Sequence, residues 1–214
     1  MTTPQPEFGH SFRKQFEDLL RWRRDVRSFR SDPVGADLLE HLIALACLAP
    51  SVGYSQPWRF VLVDSARCRA LILANFEESN KEALKSYCGE KAHLYASLKL
   101  AGLQDAPVHL AIFLTSNTTR GSGLGRFTMY DTLEYSAVLA VHTLWLAART
   151  FDLGLGWISI LDPLRINRDL SIPDDWKLIA YLCMGYPKED NSSPELLRRG
   201  WEGTVPLEQV LVRR

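Results

Sequence analysis

The segment DTLEYSAVLAVHTLWLAARTF, residues 131–151, has no charged side chain between Glu134 and Arg149. At helical spacing it is apolar nearly all the way round, so it has to be wrapped, inside the domain or at a subunit interface. The remaining elements are arranged about that helix. APVHLAIFLTS (106–116) is apolar on both faces and reads as a central strand. WRFVLVD (58–64), GLGWISIL (154–161) and WKLIAYLCMGYP (176–187) read as three further strands. Phe12, Phe16, Leu19 and Leu20 have helical spacing over SFRKQFEDLLRW (11–22), with the arginine cluster following at its end, and a second apolar helix runs from the turn at Pro33 to Pro50. Residues 66–101 are helical in pattern, and their charged middle, NFEESNKEALKSYCGEK, suits an exposed excursion or lid. The tail 192–214 is an extension whose apolar VPLEQVLV is available to pair with a strand elsewhere. Residues 1–10 read as a flexible arm and 11–214 as a single domain. Strands alternating with helices over this length give an α/β or α+β sandwich.

Charge excludes several functions. Twenty-five basic residues balance twenty-five acidic ones, so no global field favours nucleic acid or an anionic membrane, and any anion site has to be local. The apolar stretches are too short to span a bilayer, and the N-terminus has no secretory pattern. Four widely spaced cysteines with no C-x-x-C suggest reduced thiols in a cytoplasmic protein. The five histidines lack metal-ligand spacing, so no metal is expected. RGSGLGR (120–126) resembles a dinucleotide loop, but the last glycine of G-x-G-x-x-G is replaced by Arg126 and the segment sits well past its strand. A flexible loop is the better reading.

Three stretches carry candidate chemistry. RWRRDVRSF (21–29) sets four arginines around Asp25. Guanidinium forks suit phosphate oxygens, and Arg23 and Arg27 would share a face if the helix continued. A helix end with a salt bridge through Asp25 explains the same residues without a ligand. LAPSVGYSQPWRF (48–60) is a tight loop in which Ser51, Ser55 and Gln56 offer hydrogen bonds and Trp58 a flat wall, a mixture suited to a planar heteroaromatic ligand. GLGWISILDP (154–163) opens with glycines that permit close backbone approach to a ligand. Within it Ser159 lies in an apolar strand, where its hydroxyl needs a partner; no G-x-S-x-G surrounds it, which argues against serine hydrolysis.

In this order, the three stretches resemble the nitroreductase-like flavoprotein superfamily over roughly residues 11–190. The best-fitting branch is that of the flavin-destroying 5,6-dimethylbenzimidazole synthases, on Asp25 together with YASLKLAGLQDAPVHLAIF, LGRFTMYDTLEYSAVLAVHTLWLAAR, GLGWISILDP and RRGWE. The resemblance implies an α+β sandwich with a mostly antiparallel central sheet flanked by helices, an intertwined homodimer, and FMN at its interface. It also implies that reduced FMN is consumed with O2 as co-substrate, giving 5,6-dimethylbenzimidazole, the lower ligand of cobalamin, and erythrose 4-phosphate. A separate flavin reductase would supply the reduced FMN.

On that resemblance, Arg23, Arg24 and Arg27 hold the phosphate and the electron-rich edge of the reduced ring. Asp25 acts as a base, since neighbouring guanidinium groups favour the carboxylate. Ser159 bonds near the reacting part of the ring. Val26, Ser51, Ser55, Gln56 and Gly156 belong to the flavin site, and Leu98 and Lys99 to a lid that keeps water out. Arg198 and Arg199 are candidates for a phosphate contact from the tail. Two other readings are an NAD(P)H-dependent nitroreductase or flavin reductase that recycles FMN, and a non-catalytic flavin-binding protein. Asp25 and the 66–101 excursion argue against the reductase; a carrier would need neither Asp25 nor Ser159.

Overall fold

The computed structural model describes residues 6–214; the first five positions of the expected N-terminal arm lie outside the described residues. α1 (His10–Trp22) and α2 (Ala36–Ala46) lead to β1 (Trp58–Leu62), then α3 (Ala66–Leu84) and α4 (Gly89–Ser97). β2 (Val108–Thr115), α5 (Thr132–Arg149), β3 (Gly154–Ile158), α6 (Pro163–Asp169) and β4 (Trp176–Gly185) complete the body, followed by the short α7 (Glu195–Arg198) and α8 (Leu207–Val210).

The sheet has the order β1-β2-β4-β3, with every neighbouring pair antiparallel. β2 is central and all eight of its residues are buried, as its two apolar faces require. Strand alternation sends Leu110 and Ile112 to one face and Ala111 and Phe113 to the other. The first face packs with Leu155, Leu182 and Met184 against α2 and α5. The second, with Tyr181 and Cys183, packs against Ile72 of α3 and Ile166 of α6. The result is a helix–sheet–helix sandwich of α+β type.

α5 buries one stripe, Leu133, Ala137, Ala140, Val141, Leu144 and Ala148, on the sheet. Its opposite side is also apolar, and within one chain Tyr135, Val138 and Leu139 stay 52%, 40% and 43% exposed. α1 likewise exposes Phe12, Phe16 and Leu20, and it has no fully buried residue.

Some elements differ from the sequence reading. The 66–101 excursion is not uniformly exposed. Ile72 and Asn75 of α3 are buried, and Asn75 bonds both backbone groups of Asp162, at 3.0 and 2.8 Å. Asp162 in turn caps α6 by accepting from the amides of Leu164 and Arg165. The Asp-Pro pair that opens this helix is visible in the sequence. VPLEQVLV does not join the sheet: Pro206 precedes the one-turn α8, and the segment is exposed. β3 stops at Ile158, one residue short of Ser159.

Candidate functional site

The arginine segment is not helical. α1 ends at Trp22, and Arg23 is already extended, with φ −64° and ψ 125°. Arg23 and Arg27 therefore do not share a helix face; residues 23–29 run as an irregular edge beside β3. Asp25 forms a parallel bridge with Leu155, and the Val26 amide donates to the Leu155 carbonyl at 2.8 Å. Further along, Phe29 bridges Pro187 and is buried. In an extended chain, residues two apart share a side. That places Arg27 beside Asp25, and its Nε donates to the carboxylate at 2.8 Å.

The glycines of G-L-G-W make this docking possible. A Cβ on Gly156 would sit 2.2 Å from the Val26 carbonyl oxygen, and one on Gly154 would sit 2.5 Å from the Val26 side chain. The space these glycines leave open is filled not by a ligand but by the chain's own residues 25–26. The adjacent Trp157 amide donates to the other oxygen of Asp25 at 2.9 Å. Asp25 is thus held by one backbone N–H and one guanidinium, with its side chain still 32% exposed.

A cleft opens beside this segment, lined by Arg23, Arg24, Asp25, Arg27, Lys99, Trp145, Arg149 and the stretch from Glu189 to Arg198. Arg24 donates to the carbonyls of Arg23 and Ser192, while its buried Nε has no partner. Burial, then the charges of Arg23 and Arg198, lower the Arg24 pKa from its ordinary value. Mutual repulsion among cations in one cleft is relieved by an anion. The other basic groups are partly committed. Arg149 pairs with Asp190 at 2.9 Å, and Lys99 Nζ pairs with Asp105 at 2.5 Å. The Lys99 carbonyl accepts from Arg27 at 3.2 Å, which ties the end of α4 to the arginine segment, and the neighbouring Leu98 is buried.

The tail forms the far wall. Arg198 reaches the cleft, whereas Arg199 turns away to the Ser97 carbonyl at 3.2 Å. Trp201 packs on Tyr87 and Tyr95, and Lys91 lies 4.0 Å from the centre of its ring. RRGWE therefore ties the tail to α4, a link between distant segments that spacing alone does not display.

The 48–60 loop lies elsewhere in the chain, at the N-terminal end of α5, where the Val52 amide donates to Ser136 Oγ at 3.0 Å. Nine residues of helix, roughly 13 Å, separate Ser136 from Trp145 beside the arginines. Gly53, Tyr54 and Gln56 all have left-handed backbone, at φ 56°, 54° and 47°. Two non-glycine residues in that region cost about 1–3 kcal/mol each, and such strain concentrates at ligand sites. Ser51 Oγ accepts from the Gln56 amide at 3.1 Å, and Gln56 Oε1 accepts from Arg120 at 3.1 Å. Ser55 is fully buried and its hydroxyl has no partner. Trp58 is not an open wall: it is 5% exposed and packs on Ala49 and Ala140.

Ser159 also departs from expectation. It is exposed just beyond β3, so its hydroxyl does not need the buried partner a strand interior would demand. Within one chain the structure gathers Arg23, Arg24, Asp25, Val26, Arg27 and Lys99 around the cleft, with Gly156 beneath Val26. Ser51, Ser55, Gln56 and Ser159 do not line it.

An antiparallel sandwich with an arginine-rich edge segment and a strained loop at the other end of its long helix is the architecture of a flavoprotein family. The chain belongs to the Nitroreductase family, whose model matches residues 20–186. More particularly, it is 48% identical over 209 residues to 5,6-dimethylbenzimidazole synthase of Rhodospirillum rubrum, covering 98% of each chain. It is 46% identical to the protein of the same name from Rhodobacter capsulatus, covering 94% of this chain and 97% of that one. Among solved structures, an oxidized iodotyrosine deiodinase bound to FMN and 3-iodo-L-tyrosine has the same fold, with a TM-score of 0.70 at 23% identity over 92% of this chain and 97% of that one. Among the described residues no group of three or more His, Cys, Asp or Glu is placed to hold a metal, and no helix is long and apolar enough to cross a membrane. All four cysteines are free thiols.

Proposed function

We propose that the chain is a 5,6-dimethylbenzimidazole synthase that fragments reduced FMN with O2, releasing 5,6-dimethylbenzimidazole and erythrose 4-phosphate. The observation that carries this reading is Asp25: a carboxylate held by the Trp157 amide and Arg27 at the mouth of a cleft otherwise rich in guanidinium groups. Glu189, Asp190 and Glu195 also line the cleft, but Asp25 is the carboxylate fixed on the arginine segment itself, and cleavage of a ribityl carbon–carbon bond needs proton transfers. The identity to the two synthases across nearly the whole chain supports the same reading.

The residues present fit FMN. The unpartnered Nε of Arg24, with Arg23, Arg27 and Arg198 nearby, suits a phosphate dianion and the electron-rich edge of a reduced ring. Arg198, rather than Arg199, is the tail residue assigned to that anion, because Arg198 lines the cleft, where it also donates to the Ser193 carbonyl, and Arg199 points to Ser97 outside it. Reduced flavin supplies the electrons that O2 accepts. Asp25 takes and returns protons at its exposed oxygen edge, with Arg27 and the Trp157 amide fixing its direction. Leu98, Lys99 and the tail-tethered α4 form the cover that excludes water, and Val26 contributes its backbone to the floor over Gly156.

The remaining predicted residues enter through a homodimer. The apolar sides of α5 and α1 that one chain leaves exposed pair two copies, and the strained loop with Ser51, Ser55 and Gln56 reaches the flavin across that interface. Ser159, exposed just beyond β3, would offer its hydroxyl to the flavin ring. A separate flavin reductase supplies reduced FMN, and the free thiols suit a reducing cytoplasm.

A single-turnover assay tests this reading. Purified protein is mixed with chemically reduced FMN, air is admitted, and the products are separated by chromatography and identified by mass. Wild type is expected to yield 5,6-dimethylbenzimidazole, while Asp25→Asn and Ser159→Gly yield little. Quantitative return of oxidised FMN from wild type would overturn the synthase reading and leave a reductase or a carrier.

A further inference from the structure

Trp145 lies on the fourth turn of α5, beside the arginine segment, and its side chain meets three parts of the site. Its indole N–H donates to the Arg24 carbonyl at 3.0 Å. The guanidinium carbon of Arg23 lies over its ring, 4.9 Å from the centroid. The ring also packs on Trp157, with centroids 6.4 Å apart, and it is the Trp157 amide that holds Asp25. Core filling at this position asks for apolar volume only. It has no need of an N–H aimed at the carbonyl that joins Arg24 to Asp25, nor of a π-face beneath Arg23.

We infer that Trp145 is a positioning residue: it sets Arg23 and Arg24 in the geometry that recognises the phosphate and thereby makes the site prefer a phosphorylated flavin. The inference rests on the FMN reading above. A guanidinium over an aromatic ring uses its face for that contact and leaves its in-plane N–H edge for an anion. Pinning the Arg24 carbonyl fixes the chain where it leaves α1 and turns extended, so the Arg23 fork is set before the ligand arrives, beside an Arg24 guanidinium already held by the Arg23 and Ser192 carbonyls. Less ordering entropy is then lost on binding. A ligand without a phosphate gains nothing from this arrangement.

The test compares oxygen-free binding of chemically reduced FMN and chemically reduced riboflavin to the full chain, by calorimetry, for wild type, Trp145→Phe and Trp145→Leu. Trp145→Leu removes both the ring and the N–H and is expected to weaken FMN about 30-fold, with riboflavin changed less than about threefold. Trp145→Phe keeps a ring and loses only the N–H, and is expected to weaken FMN about fivefold, again sparing riboflavin. If Trp145→Leu fails to fold by urea titration, the Trp145→Phe ratio decides alone. Equal weakening of both flavins, or unchanged FMN affinity in a folded variant, overturns the positioning role. A wild-type protein that binds neither flavin overturns the function proposed above, and this inference with it.

Discussion

Replacing Gly156 by alanine tests whether the docking of the arginine segment on β3 creates the site. The new Cβ would lie 2.2 Å from the Val26 carbonyl oxygen, a backbone atom that cannot rotate away. Carbon and oxygen approach no closer than about 3.3 Å even in weak hydrogen bonds, so the segment has to retreat by about 1 Å. A retreat of that size stretches the 2.8 Å bond from the Val26 amide to Leu155 beyond bonding range and loosens the 2.9 Å bond from the Trp157 amide to Asp25. A backbone bond is worth about 1 kcal/mol and one to a charged carboxylate about 2 kcal/mol, so a loss of about 3 kcal/mol is expected. In urea titration this appears as a midpoint lowered by roughly 1–2 M at an unchanged slope. Because Arg23, Arg24 and Arg27 move with the segment, FMN affinity measured anaerobically should fall at least about tenfold. Gly203→Ala is the control, since its Cβ meets nothing within 4 Å. A Gly156→Ala protein as stable as the control, with wild-type affinity, would refute the argument that the glycine exists for this approach.

Other outcomes follow from the same structure. Arg198→Ala should weaken reduced FMN about tenfold and leave reduced riboflavin unchanged; equal loss of both would remove the tail from the phosphate site. Burial, and then Arg69 beside it, push the His109 imidazole down to about 4, below its ordinary 6.5. The unfolded chain therefore binds the proton first: stability is full above about pH 6.5 and declines toward pH 4 by about 3 kcal/mol. A urea-midpoint profile whose slope over that window is the same in His109→Asn would contradict it. Asn75→Ala removes both side-chain bonds to the Asp162 backbone and should cost about 1–3 kcal/mol, read as a lowered midpoint. Leu139→Glu places a charge on the exposed apolar side of α5 and should shift a dimer to monomer in sedimentation, with loss of FMN binding; an unaltered dimer would move the interface elsewhere.

Elements whose identity depends on their own side chains were legible from the chain alone. The double-faced apolar run of β2 placed it at the centre of the sheet, and the charge-free stretch of α5 marked the helix on which the sheet packs. The bunching of Arg23, Arg24, Asp25 and Arg27 was enough to locate the candidate site, because that much local charge requires a reason. Where the chain meets itself, the sequence was mute or misleading. The helix end at Trp22, where SFRKQFEDLLRW gives way to the arginine cluster, was legible, but nothing in RWRRDVRSF reveals that the cluster pairs with Leu155, 130 residues after Asp25. The glycines at 154 and 156 signalled close approach but not of what; a missing Cβ looks the same whether a ligand or another backbone takes the space. Ser159 was read as buried because strand ends are set by the partner strand, not by local hydrophobicity. Trp145 read as one more apolar residue of α5, and only its meeting with Arg23 and Arg24 gives its indole N–H a purpose. The sequence by itself determined which residue types are present and which faces are apolar, because those are properties of single residues and their spacing. The tertiary structure decided which polar groups are fixed, paired or left open, because hydrogen bonds and contacts between distant segments exist only once the sheet has brought them together.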